Sequence, residues 1–372
     1  MKPLVRVGAA SPFGLALPSA QPTAGQLYGP RGVWFDDTRL IVADSGNHRI
    51  LIWHQLPTED GAPADVVLGQ PDFTSEGPRA AEDGLHLPTG VLVVDGHLLV
   101  ADAWHHRVLV WDRIPDTSHT PPTFAIGQPS RRDGQPNSGG AVHAGGLYWP
   151  YGIAWHRDIL WVADTGNRRV LGWRGLPSAT RPADIVLGQP DFTSNDENRG
   201  GTVRGDSFRW PHAITGIDDT LYVADAGNHR VLGWTGIPTQ DRPADTVIGQ
   251  PDFTSNAELP HRKQGGHRMR FPYGLASDGD LLAVGDTANN RVLFWSAQPL
   301  VSQGSSAIAV VGQHDFDAAG ENRWTAVADD TLCWPYGLWM HAGRMAIADS
   351  GNNRVMLWAT ADVTAPFLHS QS

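Results

Sequence analysis

Cysteine is almost absent from this sequence, since Cys333 is the one cysteine among 372 residues. A single cysteine excludes an internal disulfide framework and fits a reducing compartment. No run of about 18 apolar residues is present to cross a membrane. Residues 1–22 lack the apolar core of a secretory signal. We therefore expect a cytoplasmic protein with no membrane partner.

Positive charge is also scarce, because 28 Lys and Arg face 39 Asp and Glu, giving a net charge of −11. Proteins that bind nucleic acids need a basic surface to displace counterions from the phosphates. The charge balance therefore argues against a nucleic-acid partner. We expect a monomer whose partners are a small-molecule or peptide ligand, or another protein.

Two enzyme motifs are missing. The segment RRDGQPNSGGAVHAGG, residues 131–146, is rich in glycine, but no strand-to-helix context surrounds it. A phosphate-binding loop needs that context, so a nucleotide site is not indicated. The serine elbow of lipases is absent as well.

Glycine, proline and tryptophan are abundant, with 42, 28 and 15 residues, and indicate many turns. The segment VADSGNHRILIW, residues 42–53, recurs six times in related form. Its aspartates lie 58 to 63 residues apart, at Asp44, Asp102, Asp164, Asp225, Asp286 and Asp349. An arginine follows five residues later each time, at Arg49, Arg107, Arg169, Arg230, Arg291 and Arg354. This period is typical of a repeat architecture.

Each repeat predicts four short antiparallel strands. It opens with an apolar residue and a proline, near positions 30, 88, 150, 211, 272 and 335. Alternating β-branched residues then indicate strands, and Gly or Pro mark their ends. The sequence therefore predicts an all-β fold, a six-bladed β-propeller forming one domain over residues 1–372.

The chain ends predict how the ring closes. The fourth strand of each repeat ends near GQPDF or a variant of it, but the sixth repeat has no such copy. A similar segment, LVRVGAASPF, lies at Leu4–Phe13. We therefore expect residues 1–13 to supply the outer strand of the last blade, which removes two exposed sheet edges. Residues 360–372 would form a C-terminal tail.

The repeated VADxGNxRV, with PxG upstream, resembles the NHL repeat family of β-propellers, and GQPDFTSN looks like a bacterial branch of it. The resemblance covers almost the whole chain and implies the propeller fold. It leaves function open, because NHL propellers include interaction scaffolds, RNA-binding domains and enzymes.

The repeated Asp and Arg are interpreted as structural. An active site is one place, whereas these residues occur six times around a ring. We expect the Asp to cap N–H groups of its own turn and the following Gly or Asn to take the left-handed conformation. The Arg would bind a carboxylate or carbonyls at the seam between blades.

Positions that differ between blades are the candidates for function. The axial ring, one residue after each opening proline, comprises Arg31, Thr89, Tyr151, His212, Tyr273 and Tyr336. The outer ring, two residues before it, comprises Tyr28, His86, Tyr148, Arg209, Arg270 and Cys333. The first strand of a blade lines the central channel, so we expect an axial pocket. Most of the extra length of each repeat lies in the loop before the proline, which places the pocket on the long-loop face.

The ligand-binding residues are predicted from both rings, and each has an alternative role. The prediction comprises Arg31, Tyr148, Tyr151, Arg209, His212, Arg270, Tyr273 and Tyr336. Catalytic candidates are His212, Tyr273, Tyr336 and Cys333. The aromatic residues would otherwise plug a narrow channel, and the arginines would be solvated. Cys333 would otherwise be a buried filler.

A metal site is a further hypothesis. The peptide-amidating lyase has this fold and uses Pro-His at blade starts to bind an axial zinc, and His212 resembles that pattern. The candidate zinc ligands are His86, His143, His212 and His267. Three imidazoles with one open position suit a catalytic zinc. Three functions therefore stay open: a module that binds a small anionic or aromatic ligand or a peptide end, a metal-dependent lyase or hydrolase, and a protein-interaction scaffold.

Overall fold

The computed structural model describes residues 2–9, 21–258, 264–279, 281–296, 303–361 and 363. It contains six four-stranded antiparallel sheets, and the first strands of neighbouring sheets pack against each other around one axis. The predicted six-bladed β-propeller is therefore confirmed. No helix in these ranges is long and apolar enough to span a membrane.

The blades follow one another along the chain. The first strand to be met is β1 (Lys2–Gly8). Blade 1 is β2 (Gly32–Phe35), β3 (Leu40–Asp44), β4 (Arg49–Trp53) and β5 (Val66–Leu68). Blade 2 is β6 (Pro88–Val94), β7 (His97–Asp102), β8 (Arg107–Trp111) and β9 (Phe124–Ile126). Blade 3 is β10 (Pro150–His156), β11 (Ile159–Asp164), β12 (Arg169–Arg174) and β13 (Ile185–Leu187).

The second half repeats this order. Blade 4 is β14 (Pro211–Ile217), β15 (Thr220–Asp225), β16 (Arg230–Thr235) and β17 (Thr246–Ile248). Blade 5 is β18 (Pro272–Asp278), β19 (Leu281–Asp286), β20 (Arg291–Ser296) and β21 (Ala309–Val311). Blade 6 is β22 (Pro335–His341), β23 (Arg344–Asp349) and β24 (Arg354–Ala359), completed by β1. Short 3₁₀ helices are Ser45–Asn47, Ala103–His105, Pro136–Gly139, Thr165–Asn167, Glu197–Gly200, Ala226–Asn228, Thr287–Asn289, Glu321–Trp324 and Ser350–Asn352.

The N-terminal strand closes the ring as predicted. Strand β1 pairs with β24 in antiparallel fashion from Lys2 opposite Ala359 to Gly8 opposite Arg354, with a shift of register between Pro3 and Val5. On the other side of the closure, β2 packs beside β22. Residues 10–13 of the predicted strand and 364–372 of the predicted tail lie outside the described residues.

The core lies between the blades. Six apolar clusters each join the facing sides of two adjacent blades. Around the axis the first strands approach so closely that a Cβ on Gly152 would lie 2.3 Å from the carbonyl oxygen of His212. Glycine is needed at this position because the backbone of the next blade occupies the place of a side chain.

The six Asp–Arg pairs are buried and structural. In each pair the Arg Nε donates to the Asp Oδ2 at 2.7 to 2.9 Å. The Arg Nη atoms then bind backbone carbonyls of the loops around the turn, as Arg230 binds those of Phe253, Arg204 and Ser207. All twelve side chains are at most 2% exposed.

Two details of the predicted turn are wrong. The Asp does not cap its own turn: Asp44 Oδ1 instead accepts from the N–H of Tyr28, at 2.7 Å and 16 residues earlier. The same bond occurs in every blade. The left-handed residue is the fourth after the Asp: it is an Asn as expected in two blades, at Asn290 and Asn353, but a His or Arg in the other four, at His48, His106, Arg168 and His229. Contacts with the next blade explain why a His or an Asn occupies this position at five seams.

At five seams the left-handed side chain holds the next blade. His106 Nδ1 accepts from the N–H of Trp149 at 3.1 Å, and Asn290 Oδ1 accepts from that of Trp334 at 3.0 Å. His48, His229 and Asn353 make the same bond to Leu87, Phe271 and Gly29. We name this bond the seam clasp. Its donor is always the residue just before the opening proline.

Candidate functional site

A cavity of about 210 Å³ lies on the axis of the propeller. It begins at the axial ring, where Arg31, Tyr151, His212 and Tyr273 line it. From there it follows the first strands toward their other ends, which include Ser277 and Met340. The cavity therefore extends through the channel, away from the long loops, and the outer ring does not line it.

The axial ring closes one end of this cavity by mutual contact. The ring centroids of Tyr151 and His212 are 4.4 Å apart, and those of His212 and Tyr273 are 4.3 Å apart. Tyr336 stacks on Tyr273 at 4.9 Å, and Arg31 lies over Tyr336 at 4.8 Å. A bond of 2.5 Å from Arg31 Nη1 to Tyr151 Oη completes the circle. The contacts within the axial ring thus close the channel at this end and at the same time form the floor of the cavity.

Arg31 carries an unneutralised charge. Within the described residues no carboxylate lies within 4.0 Å of its guanidinium, which is half-buried. Its partners are the hydroxyl of Tyr151 and the face of Tyr336, and both are neutral. A partly buried cation without an acidic partner is costly to the protein, and an anion beside it would be stabilised.

His212 is held as a neutral acceptor. It is 5% exposed, and burial lowers its pKa from 6.5 to about 4. Its Nδ1 lies 3.0 Å from the carbonyl oxygen of Trp210. A carbonyl can only accept, so Nδ1 carries the proton and Nε2 keeps its lone pair. No described residue donates a hydrogen bond to Nε2.

The phenols of the ring are donors at neutral pH. Burial raises the pKa of Tyr151 to about 12 and also raises the pKa values of Tyr273 and Tyr336. Within the described residues the hydroxyls of Tyr273 and Tyr336 have no hydrogen-bond partner. Of these groups, the cavity is lined by the cation of Arg31, the phenolic donor of Tyr273 and the imidazole acceptor of His212.

The rest of the cavity combines apolar walls with one polar pair. Thr215 Oγ1 and Ser277 Oγ lie 2.8 Å apart, and Ser277 also binds the carbonyl of Gly216 at 3.0 Å. Trp339 fills part of the channel and donates from Nε1 to the carbonyl of Phe35 at 2.9 Å. Sequence reasoning missed these residues. Their positions four and five residues after the proline, where the blades also differ, were the available signal.

The outer ring has other partners. Glu197 Oε1 lies 3.1 Å from Arg209 Nε, and Glu258 Oε1 lies 2.5 Å from Arg270 Nη2. These arginines, which the sequence predicted as ligand-binding residues, are thus paired with acids of their own loops. Burial raises the pKa of Cys333 to about 12, which disfavours its thiolate and a nucleophilic role. Tyr148 is partly exposed and packs beside His106.

The four histidines of the zinc hypothesis lie in different surroundings. His86 packs against the rings of His48 and His105. His143 Nδ1 accepts from its own loop, and His212 lies in the axial ring. His267, the fourth candidate, is exposed on the loop before blade 5. Across the described ranges, no group of three His, Cys, Asp or Glu residues is placed to hold a metal ion.

Comparison with known proteins supports an NHL-repeat β-propeller. The NHL repeat model matches residues 85–111. No curated protein sequence matches the chain. The GQPDF branch stays a prediction.

Solved structures of similar fold are distant in sequence. A Bacteroides thetaiotaomicron protein of unknown function is 14% identical, with a TM-score of 0.55 over 96% of this chain and 75% of that chain. Virginiamycin B lyase from Staphylococcus aureus is 12% identical, with a TM-score of 0.46 over 90% of this chain and 96% of that chain. At these identities the likeness concerns the fold alone.

Proposed function

We propose that this propeller is a binding module for a small planar anion, held in the axial cavity with its negative charge at Arg31. The observation that carries the proposal is the guanidinium of Arg31, which lines the cavity without an acidic partner in a protein of net charge −11. The aromatic floor suits a flat ligand, because stacked rings offer apolar faces. The phenol of Tyr273, which also lines the cavity, would donate to the same anion.

The test compares benzoate with its neutral analogue benzamide, with binding measured by titration calorimetry. We expect benzoate to bind more tightly than benzamide. Arg31→Met should weaken benzoate by about 10- to 100-fold, because a hydrogen bond to a charged group contributes about 1.5–3 kcal/mol. Tyr273→Phe should weaken it less. The melting temperature should change little in both, since the cores lie between the blades.

Arg113→Met is the matched control, because Arg113 is exposed and does not line the cavity. It should leave benzoate binding unchanged. Equal affinities for benzoate and benzamide, or benzoate binding that survives Arg31→Met, would contradict an anion site at this end of the channel.

A further inference from the structure

The start of blade 4 differs from that of the other five. In those blades the residue before the opening proline has a left-handed backbone, at Gly29, Leu87, Trp149, Phe271 and Trp334, with φ between 50° and 56°. Its N–H forms the seam clasp to the preceding blade. The residue before it uses its carbonyl to accept from the second residue of the Asp turn, as Tyr28 accepts from Gly46.

Blade 4 makes none of these three arrangements. Trp210 is not left-handed, and its N–H has no hydrogen-bond partner among the described residues. The turn also uses a different donor: Ala226, its first residue, donates to the carbonyl of Trp210 at 3.0 Å, and among the described residues Gly227, its second residue, makes no bond to the carbonyl of Arg209. The Arg209–Trp210 peptide is therefore oriented differently from its five counterparts.

The preceding blade explains why the clasp is absent. The left-handed residue there is Arg168, where the other seams have His or Asn. A guanidinium has donors only and cannot accept from Trp210 N–H. Arg168 instead donates to the carbonyl of Gly166 at 2.6 Å.

The altered backbone has one visible effect in the cavity. It places the Trp210 carbonyl 3.0 Å from His212 Nδ1, which sets the tautomer that leaves Nε2 as an acceptor. Two departures from the repeat, Arg168 and His212, thus lie on the two sides of one seam and meet at one residue, Trp210, the first at its N–H and the second at its carbonyl.

We infer that blade 4 lacks its seam clasp in order to hold His212 Nε2 as a hydrogen-bond acceptor, and that the ligand therefore carries an O–H or N–H donor as well as its negative charge. The ligand class is a hydroxylated or amino-bearing aromatic acid. In this scheme His212 determines specificity, and Trp210 and Arg168 are positioning residues. The inference rests on the proposed function for the anion and adds the donor.

The preference for a ligand with a donor follows from the free-energy cost of leaving His212 Nε2 without a hydrogen bond. A buried acceptor that faces an apolar ligand loses its hydrogen bond to water without replacement. Sites built to bind a substrate hydroxyl reject the analogue without it far more strongly than apolar pockets reject an extra methylene. A ligand without a donor opposite His212 would therefore bind much more weakly.

The first test needs no ligand. Nitrogen NMR of the imidazole reports which ring nitrogen carries the proton, and we expect Nδ1–H in the wild type. Arg168→Asn supplies the acceptor that Asn290 and Asn353 supply at other seams. It should form the missing clasp, slow hydrogen exchange at Trp210 N–H and raise the population of Nε2–H in His212. Nε2–H already in the wild type, or a tautomer that Arg168→Asn leaves unchanged, would overturn the inference.

The second test compares benzoate with 2-, 3- and 4-hydroxybenzoate. We expect at least one isomer to bind about tenfold or more tightly than benzoate. His212→Phe should abolish that preference, and Arg168→Asn should reduce it while the melting temperature stays the same or rises. Arg181→Asn, on an exposed arginine that pairs with Asp184, is the control and should leave the preference intact.

The two proposals fail differently. If benzoate binds better than benzamide but no hydroxyl isomer gains, the anion site stands and the donor inference is overturned. If no benzoate binds to the wild type, the proposed function fails, and the NMR tautomer decides whether His212 is positioned as an acceptor.

Discussion

The Asp–Arg pairs and the axial ring both repeat around the same axis, yet they behave in opposite ways. All six pairs make the same bond within 2.7 to 2.9 Å. The ring places four residue types at its six positions, and its members contact one another in different ways. The six Asp–Arg pairs thus share both their residue types and their bonds, whereas the residues of the axial ring differ from blade to blade and lie at the end of the cavity.

The two regions also differ in how fully their polar groups are hydrogen-bonded. In the Asp–Arg pairs the Arg fork is shared between the carboxylate and nearby carbonyls, as at Arg49. In the ring Arg31 lacks a carboxylate and His212 Nε2 lacks a donor. These two groups of the ring are the ones with which the proposed ligand would pair.

The largest expected effect comes from breaking the closure on which both regions depend. Deleting residues 2–8 removes the outer strand of blade 6, together with the buried side chains of Val5 and Val7. The exposed edge of β24 should then cause aggregation or loss of cooperative unfolding. Thermal denaturation and size-exclusion chromatography would show this.

Leu4→Ala is the control for the deletion, because Leu4 is half-exposed on the same strand and should be tolerated. A deletion variant that melts at the wild-type temperature as a monomer would show that β1 does not hold the ring closed.

The second largest effect on stability is expected from removing the Arg of an Asp–Arg pair. Arg49→Ala and Arg230→Ala should each lower the free energy of unfolding by about 3–5 kcal/mol, because each leaves a buried carboxylate without its cation. Urea denaturation would measure both. The two losses in free energy of unfolding should be similar, because the two blades make the same bonds.

Arg157→Ala gives the contrast for these variants. Arg157 pairs with Asp219 at 2.8 Å, but both side chains are more than half exposed. Such a pair contributes about 0–1 kcal/mol. If Arg230→Ala cost no more than Arg157→Ala, the structural role of the buried pairs would be refuted.

The fold follows from the sequence because its signals are repeated. Six copies of the Asp turn predicted the blades, and the missing sixth GQPDF copy predicted the closing strand, which the pairing of β1 with β24 confirms. The bonds of Asp44 could not be predicted in the same way. Its partner, Tyr28 N–H, comes from a loop whose path depends on the assembled blade.

The lining of the cavity was predicted in part, for a related reason. Comparing blades predicted Arg31, Tyr151, His212 and Tyr273, which line the cavity. It did not predict that Arg209 would lie beside Glu197, because the loops have no common register. The position of the cavity also depends on which side chains leave space, and spacing along the sequence does not report that.

The smallest expected effect concerns pH and the seam clasps. Burial lowers the pKa of His48 and of His106 from 6.5 to about 4. Between these values the unfolded chain binds more protons than the folded one, so stability falls as the pH drops from about 6.5 to about 4. Asn290 and Asn353 make the same clasp without titrating.

His106→Asn should therefore keep the stability at pH 7 and lose less of it at pH 5 than the wild type. Urea denaturation at the two pH values would measure this. His97→Asn, at a partly exposed histidine outside the seams, is the control and should leave the acid loss unchanged. An acid loss equal in His106→Asn and wild type would show that the clasp histidine does not contribute to it.

Trp339 of blade 6 lines the channel, and blade 1 has a tryptophan, Trp34, at the same strand position. Its indole packs beside Trp34 and reaches apolar clusters at three seams, while blades 3, 4 and 5 have Ala154, Thr215 and Ala276 at the same strand position. The repeat therefore builds the walls of the channel, whereas the bulk of the side chain at this one strand position differs from blade to blade. A propeller made this way can change the free length of its channel by substitution at that position, without rebuilding any blade.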